Sequence, residues 1–510
     1  MAKLFKRREP EPMTAPAPAA VAAVELQPED EALAPLQLDD VSSAAAPNGL
    51  RPVPPPQSAS PSKLSLGSLS GRFASVTPAI SEPVDGLSMF EIEDSLAPEM
   101  PKDIAEIGID IDVLAGLVLK YAAGVSTFTS ASTAQKICLP GGMVSEMLDQ
   151  LRRDKSIEVL GEVRGVYRYA ITDRGRERAI QAAEISRYVG PAPVSLDTYN
   201  KALERQLKRL PPASAEAVQK AVSSLVLSDE TIEVAGLASS SGRSLFLWGP
   251  PGTGKTTVGH MLHESLVGTL WIPYCISIED NIIRLFDPQA HHRVHPEVAA
   301  NEKGRVDSRW VRIRRPFVVG GGELTIDALD LAYAPAGRFY EAPLHMKANG
   351  GIFLLDDLGY QKAQPRQLLS RWIFPLERGT DFLALRTGQK FAIPFSLMLI
   401  ISTNLQPDTV IEPAFMRRMG YRVHLDLPNP EQYARIFERY AAGAGVSVPD
   451  GLVERLVARY DLEKRPMRAS EPRDLIERSR DLCRYRGREF ALDDEVVEVA
   501  WKGYFGEHAI

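Results

Sequence analysis

Three short runs in this chain are apolar at nearly every position: Ser244–Trp248, Ile352–Leu355 and Ser396–Ile401. Unbroken apolar runs of strand length predict strands buried on both faces, as in a parallel sheet covered by helices. Each run ends abruptly in polar residues: a Gly/Pro loop from Gly249, the pair Asp356-Asp357, and Ser402-Thr403-Asn404. Thr257–Leu262, after the first loop, reads as a helix. Ile272–Ser277 reads as a further core strand. Trp310–Arg315 and Phe317–Gly322 read as a hairpin with Arg309, Arg312, Arg314 and Arg315 along it. From Pro428 onward the apolar period becomes helical, at Tyr433, Ile436, Phe437 and Tyr440 and again at Leu452, Leu456 and Tyr460.

A second, smaller pattern precedes these. Val113, Leu114, Leu117, Val118 and Tyr121 have helical spacing; a short helix over Thr133–Leu139 and another with Met143, Val144, Met147, Leu148 and Leu151 inward follow. Ile157–Leu160 and Val166–Ile171 flank a glycine turn as a β-hairpin, and Thr172-Asp173-Arg174-Gly175 opens a last helix.

The loop Gly249-Pro250-Pro251-Gly252-Thr253-Gly254-Lys255-Thr256-Thr257 has the composition that phosphate binding requires. Glycines let backbone N–H groups turn toward phosphate oxygens, and a helix N-terminus adds its positive dipole end. Lys255 supplies a mobile positive charge for the β- and γ-phosphates, and the Thr256 hydroxyl is a natural Mg²⁺ ligand. Asp356, at a strand's C-terminal end, is placed to hold Mg²⁺, and Asp357 to orient or deprotonate water. Asn404 ends the third apolar run, where it would reach a lytic water. Downstream lie Arg417-Arg418 and, at the start of a helical stretch, Arg473.

With this order of motifs, the chain from about Ala213 onward resembles the AAA+ ATPases. Thr253, Gly254, Lys255 and Thr256 match that family's Walker A motif and Asp356-Asp357 its Walker B. Asn404 falls at sensor 1, Arg417 and Arg418 where an arginine finger reaches a neighbouring subunit, and Arg473 at sensor 2. Gly337-Arg338-Phe339 and Ala348–Asp356 are similar to MoxR-type ATPases and to enhancer-binding activators, but the activators' Gly-Ala-Phe-Thr-Gly-Ala loop is absent, which counts against polymerase activation. Residues 101–190 resemble a winged-helix domain.

The resemblance implies an α/β P-loop NTPase with a doubly wound parallel sheet and a C-terminal helical lid, joined to a small α+β winged-helix-like domain. The boundaries read as 1–100 disordered tail, 101–190 winged-helix-like domain, 191–212 linker helix, 213–427 ATPase core with an insertion at about 279–347, and 428–510 lid. It further implies ATP and Mg²⁺ as ligands, hydrolysis of ATP to ADP and phosphate, a homo-oligomer of hexamer type, and chaperone-like remodelling of a protein client. Two alternatives stay open: a nucleotide-switched regulatory or DNA-binding protein, and an assembly ATPase for a pilus or secretion apparatus. One departure bears on this choice. The family has Glu where this chain has Asp357, so the carboxylate sits roughly 1.5 Å further back. A misplacement of about 1 Å can cost about a hundredfold in rate. ATP binding therefore follows more directly than fast hydrolysis, unless an ordered water bridges the gap.

Composition narrows the picture. At 510 residues the chain has room for two to four domains, and its net charge of −7 argues against a general nucleic-acid coat. Residues 101–190 carry twelve Lys or Arg against twelve Asp or Glu. Duplex binding needs a basic face, so this balance favours protein docking over DNA. Cys138, Cys275 and Cys483 are too scattered for a zinc or disulfide framework and point to a reducing, cytoplasmic setting. No apolar stretch is long enough to span a bilayer, and Glu-Pro-Glu-Pro after the basic tip Lys3–Arg8 is unlike a signal peptide. His291, His292 and His295 suggest a metal, but without a companion Cys or suitably spaced carboxylates an exposed loop is expected. The Ala/Pro/Ser-rich N-terminal region lacks the apolar content to fold, and Met89–Ile92 reads as a chance apolar cluster within it.

Overall fold

The computed structural model describes residues 87–163, 165–295 and 304–506. The expected tail over residues 1–86, with its basic tip, lies outside the described residues.

The three apolar runs become neighbouring strands of one five-stranded parallel sheet. Its order is Phe317–Gly320, Ile352–Leu355, Met398–Thr403, Leu245–Trp248 and Tyr421–His424. Side chains alternate between two apolar layers, as a pleated strand requires. Phe246, Phe353, Leu355, Leu399 and Ile401 pack with Leu368, Leu369 and Trp372 on one face. Leu245, Leu247, Ile352, Leu354, Met398 and Ile400 pack with Val258 and Leu262 on the other. The C-terminal ends of three adjacent strands thereby bring Gly249, Asp356 and Asn404 to one edge of the sheet, where open α/β sheets bind ligands.

The strand beside Ile352–Leu355 differs from expectation. Phe317–Gly320 joins the parallel sheet, so no hairpin forms with Trp310–Arg314, which instead pairs antiparallel with Thr269–Pro273. Pro316, which has no N–H to give a ladder, separates the two strands. Ile272–Ser277 is likewise not one core strand. It breaks at Tyr274, whose N–H bonds Arg309 O and whose carbonyl accepts from Leu285 and Phe286. Cys275–Ile278 then enters a second five-stranded sheet with Ala332–Ala334, Phe339–Glu341, Asn281–Arg284 and Val194–Ser195.

Arg309 and Arg312 are buried, each about 3% exposed. Arg309 pairs with Asp307 at 2.8 Å, and Arg312 with Glu93 and Asp94. Those two acids sit in the turn between Met89–Ile92 and Ser95–Pro98, an antiparallel hairpin inside the expected tail. Phe90, Ile92 and Ala97 bury against Trp271 and Trp310, so the apolar cluster at Met89–Ile92 is an ordered part of the core.

The histidine loop is also corrected in part. His291 is 3% exposed. Its Nδ1 accepts from the Asp287 N–H at 3.0 Å, and its Nε2 lies 2.9 Å from Lys347 O, which fixes a neutral ring with the proton on Nε2. Among the described residues no group of three or more His, Cys, Asp or Glu gathers as a metal site.

Residues 111–185 form helices Ile111–Ala123, Ser130–Ile137 and Gly141–Arg153, the hairpin Ile157–Val163 with Val166–Ile171, and helix Asp173–Ile185 around one apolar cluster. Glu146, Arg152 and Arg153 are exposed on the third helix. At the other end of the chain, Pro430–Gly443, Leu452–Leu462, Glu471–Tyr485 and Asp494–Phe505 enclose a core centred on Tyr433, Phe437, Tyr460 and Trp501. No described helix is long and apolar enough to cross a membrane.

Candidate functional site: a phosphate-loop cavity

The loop after Trp248 holds Gly249, Gly252 and Gly254 at φ of +145°, +79° and +90°. Gly252 has no room for a side chain: a Cβ there would stand 2.8 Å from Ser470 Oγ and 3.3 Å from Arg468 Cβ. The helix Lys255–Glu264 then starts with no side-chain cap, leaving its first N–H groups for a ligand.

Lys255 is 5% exposed and folds back on its own loop. Its ammonium donates to Gly249 O at 3.0 Å and Pro250 O at 2.8 Å. Burial pulls its pKa below the usual lysine range, while the carboxylates of Asp357 and Asp356 oppose that shift. The loop carbonyls thus hold a cation next to a cradle of N–H groups.

Asp356 is organised from two sides. Thr256 Oγ1 lies 2.9 Å from each of its oxygens, and Ser402 Oγ donates to Oδ1. Ser402 also accepts the Asp357 N–H at 3.0 Å, tying both aspartates to the neighbouring strand. Asp357 adopts φ +51°, unusual for a residue with a side chain. Its Oδ1 accepts from Asn404 Nδ2 at 3.0 Å. Gln361 Nε2 donates to the carbonyls of Asp356 at 2.7 Å and Asp357 at 3.2 Å, closing the turn.

These groups face a cavity of about 950 Å³. Residues 251–257 form one wall, with Asp357 and Asn404 at the phosphate-loop end. Arg439, Tyr440 and Arg473 from the C-terminal helices and the segment 223–227 are among its other lining residues. Gly249 and Pro250 lie behind the loop as acceptors for Lys255, and Asp356 is reached through Thr256. Arg473 is bonded to Asp474 at 3.0 Å. Arg417 and Arg418 are not brought to this cavity within one chain. Arg418 pairs with Glu377 at 2.9 Å and donates to Ala414 O. Arg417 is exposed, with no ion pair among the described residues.

Several site residues escaped the sequence reading. Ser402 and Gln361 act through hydrogen bonds to the aspartates. Arg439 Nη1 bonds Ser223 O at 2.9 Å and Leu225 O at 2.7 Å, closing the far wall across more than 200 positions. Only the polar end of the third apolar run hinted at Ser402; the others had no local signal.

The donor set suits a divalent cation with a nucleotide. A hydroxyl and a carboxylate meet beside a cradle of amides, and hard oxygen ligands next to phosphates are what Mg²⁺ takes. Thr256 and Asp356 would hold the ion, which would supply charge neutralisation of the phosphate oxygens.

Residues 429–503, the four C-terminal helices, match a family described as a domain of unknown function (DUF8689). No curated protein matches the chain. Among solved structures, the RuvB Holliday junction branch migration motor of Thermotoga maritima is similar at 17% identity, over 61% of this chain and 72% of that one, with TM-score 0.31. NtrX from Brucella abortus in complex with ATP is similar at 14% identity, over 63% of each chain, with TM-score 0.33. At such scores the fold is read from this chain's own strand order and loop, and these describe an α/β P-loop fold with a nucleotide-sized cavity at the loop.

Proposed function

We propose that this chain is an AAA+ ATPase that works as a ring and remodels a protein partner. What supports the reading is one convergence: Lys255, the Thr256–Asp356 pair, the Asp357–Asn404 pair and Arg473 all border or back one cavity. In it ATP would place its phosphates on the loop and its base between segment 223–227 and Tyr440. Asp357 and Asn404 would orient a water for in-line attack on the γ-phosphorus; the P–O bond to ADP breaks as the water proton passes to Asp357 and then to solvent. The exposed Arg417 is free to complete a neighbour's site, and Arg473 would report lid position.

In this reading the four C-terminal helices are the lid and residues 101–190 a winged-helix-like docking module. The balanced charge of that module favours a protein client over DNA. The test is ATP turnover across a concentration series beside Lys255→Ala. Turnover per chain that rises with concentration supports the ring; turnover independent of concentration refutes the shared site.

A second reading has one observation behind it. Asp357 is shorter than Glu and its carboxylate is held by Asn404, which suits a nucleotide switch with slow hydrolysis. Tight ATP binding without turnover at any concentration would select it.

A further inference from the structure

Glu471 opens helix Glu471–Tyr485 and is 1% exposed, yet it has no ion pair among the described residues. Its Oε2 accepts from Tyr460 OH at 2.8 Å and from the Arg468 N–H at 2.9 Å. Tyr433 OH donates to Tyr460 OH at 3.1 Å, so the carboxyl gathers three of the four C-terminal helices. Burial lifts its pKa above the usual glutamate range, opposed by the bonds from Tyr460 and Arg468. Packing alone would be served better by an apolar residue, because a buried carboxyl carries a desolvation cost.

The other end of this network touches the phosphate loop. Arg468 begins a turn whose Ser470 N–H donates to Gly252 O at 3.1 Å. Gly252 sits so close to Ser470 and Arg468 that no methyl fits between them. Two residues past Glu471, Arg473 lines the cavity. The carboxyl therefore joins the core of the helical unit, the turn seated on the loop, and the arginine lining the cavity.

We propose that Glu471 is a positioning residue for the nucleotide. It anchors the Arg468–Ser470 turn, and through that turn it sets the reach of Arg473. This rests on the ATP-site reading above. A loosened anchor leaves Arg473 present but misplaced, so the loss runs through Arg473.

The experiment is titration of the full chain with the fluorescent analogue mant-ATP, with melting temperature recorded for each variant. Glu471→Leu removes the acceptor and is expected to weaken binding about tenfold, the scale of one lost bond to a charged group. Tyr460→Phe removes a single donor and is expected to weaken it about threefold. Glu471→Gln keeps an acceptor oxygen and restores near-wild-type affinity. In an Arg473→Ala background neither Glu471→Leu nor Tyr460→Phe adds a loss beyond about twofold, since coupled residues are non-additive. Equal losses in both backgrounds overturn the proposal, as does wild-type affinity in both single variants. Should Glu471→Leu fail to fold, Tyr460→Phe carries the same test. Absence of mant-ATP binding by the wild type overturns the ATP reading and this proposal together; wild-type binding with unaltered variants overturns this proposal alone.

Discussion

Alanine substitutions at Gly252 and Gly254 separate two contributions to the loop. Both residues have positive φ, +79° and +90°, so an alanine at either pays the left-handed backbone cost of about 1–2 kcal/mol. Their surroundings differ. A Cβ on Gly254 meets nothing within 4 Å, whereas one on Gly252 stands 2.8 Å from Ser470 Oγ and 3.3 Å from both Arg468 Cβ and Cδ. The Ser470 hydroxyl can rotate, but its backbone is held by the N–H bond to Gly252 O at 3.1 Å and Arg468 Cβ moves only with its own backbone. Crowding of this kind typically costs about 1–3 kcal/mol more. At about 2–4 °C per kcal/mol, Gly252→Ala should melt about 2–12 °C below Gly254→Ala. The difference cancels the shared backbone cost and leaves the contact between loop and C-terminal helices. Scanning calorimetry or intrinsic fluorescence melts of the two variants measure it. Equal melting temperatures would refute the close approach of Arg468–Ser470 to the loop.

Other outcomes follow from the same geometry. Asp357→Asn keeps a polar group beside Asn404 but removes the proton acceptor; steady-state kinetics should show kcat falling about 10²–10⁴-fold with nucleotide affinity retained. Arg309→Met leaves Asp307 buried without its partner and should cost about 3–5 kcal/mol in denaturant melts, much of it recovered by a second change, Asp307→Leu. His291 is held neutral chiefly by burial, its pKa pushed down to about 4 against the neighbouring Asp287 and alongside Lys347 and His292. The unfolded chain therefore takes up a proton at about pH 6.5 that the folded chain takes up only near 4, so stability is intact above that window and falls by about 3 kcal/mol as pH drops through it. His291→Gln should flatten that part of the stability profile; an unchanged slope would contradict the assignment.

The parallel strands and the phosphate loop were legible because their signals are local. Leu245–Trp248 and Ile352–Leu355 are buried on both faces and so are apolar throughout, and a phosphate loop must fit into a few consecutive residues. The second layer, a mixed sheet, was not legible. Val194–Ser195 pairs with Cys275–Ile278 and Phe339–Glu341 with Asn281–Arg284, short parallel contacts between segments far apart in the chain, and Phe317–Gly320 looks like a hairpin arm until Ile352–Leu355 is placed beside it. Charged residues misled for the same reason. Arg312 reads as surface until Glu93 and Asp94 come to it from 219 and 218 positions away. Within the site, Lys255, Asp356 and Asn404 announced themselves by position. Arg439 and Glu471 act through partners that only tertiary folding supplies.

The central claim is that the cavity at Lys255 binds and hydrolyses ATP. Its most direct test is phosphate release by the purified full chain with ATP and Mg²⁺, run beside mant-ATP binding and beside Lys255→Ala. The account predicts nucleotide binding and phosphate release in the wild type, with both lost in Lys255→Ala. Binding or turnover that survives Lys255→Ala unchanged would place the nucleotide elsewhere and contradict the account.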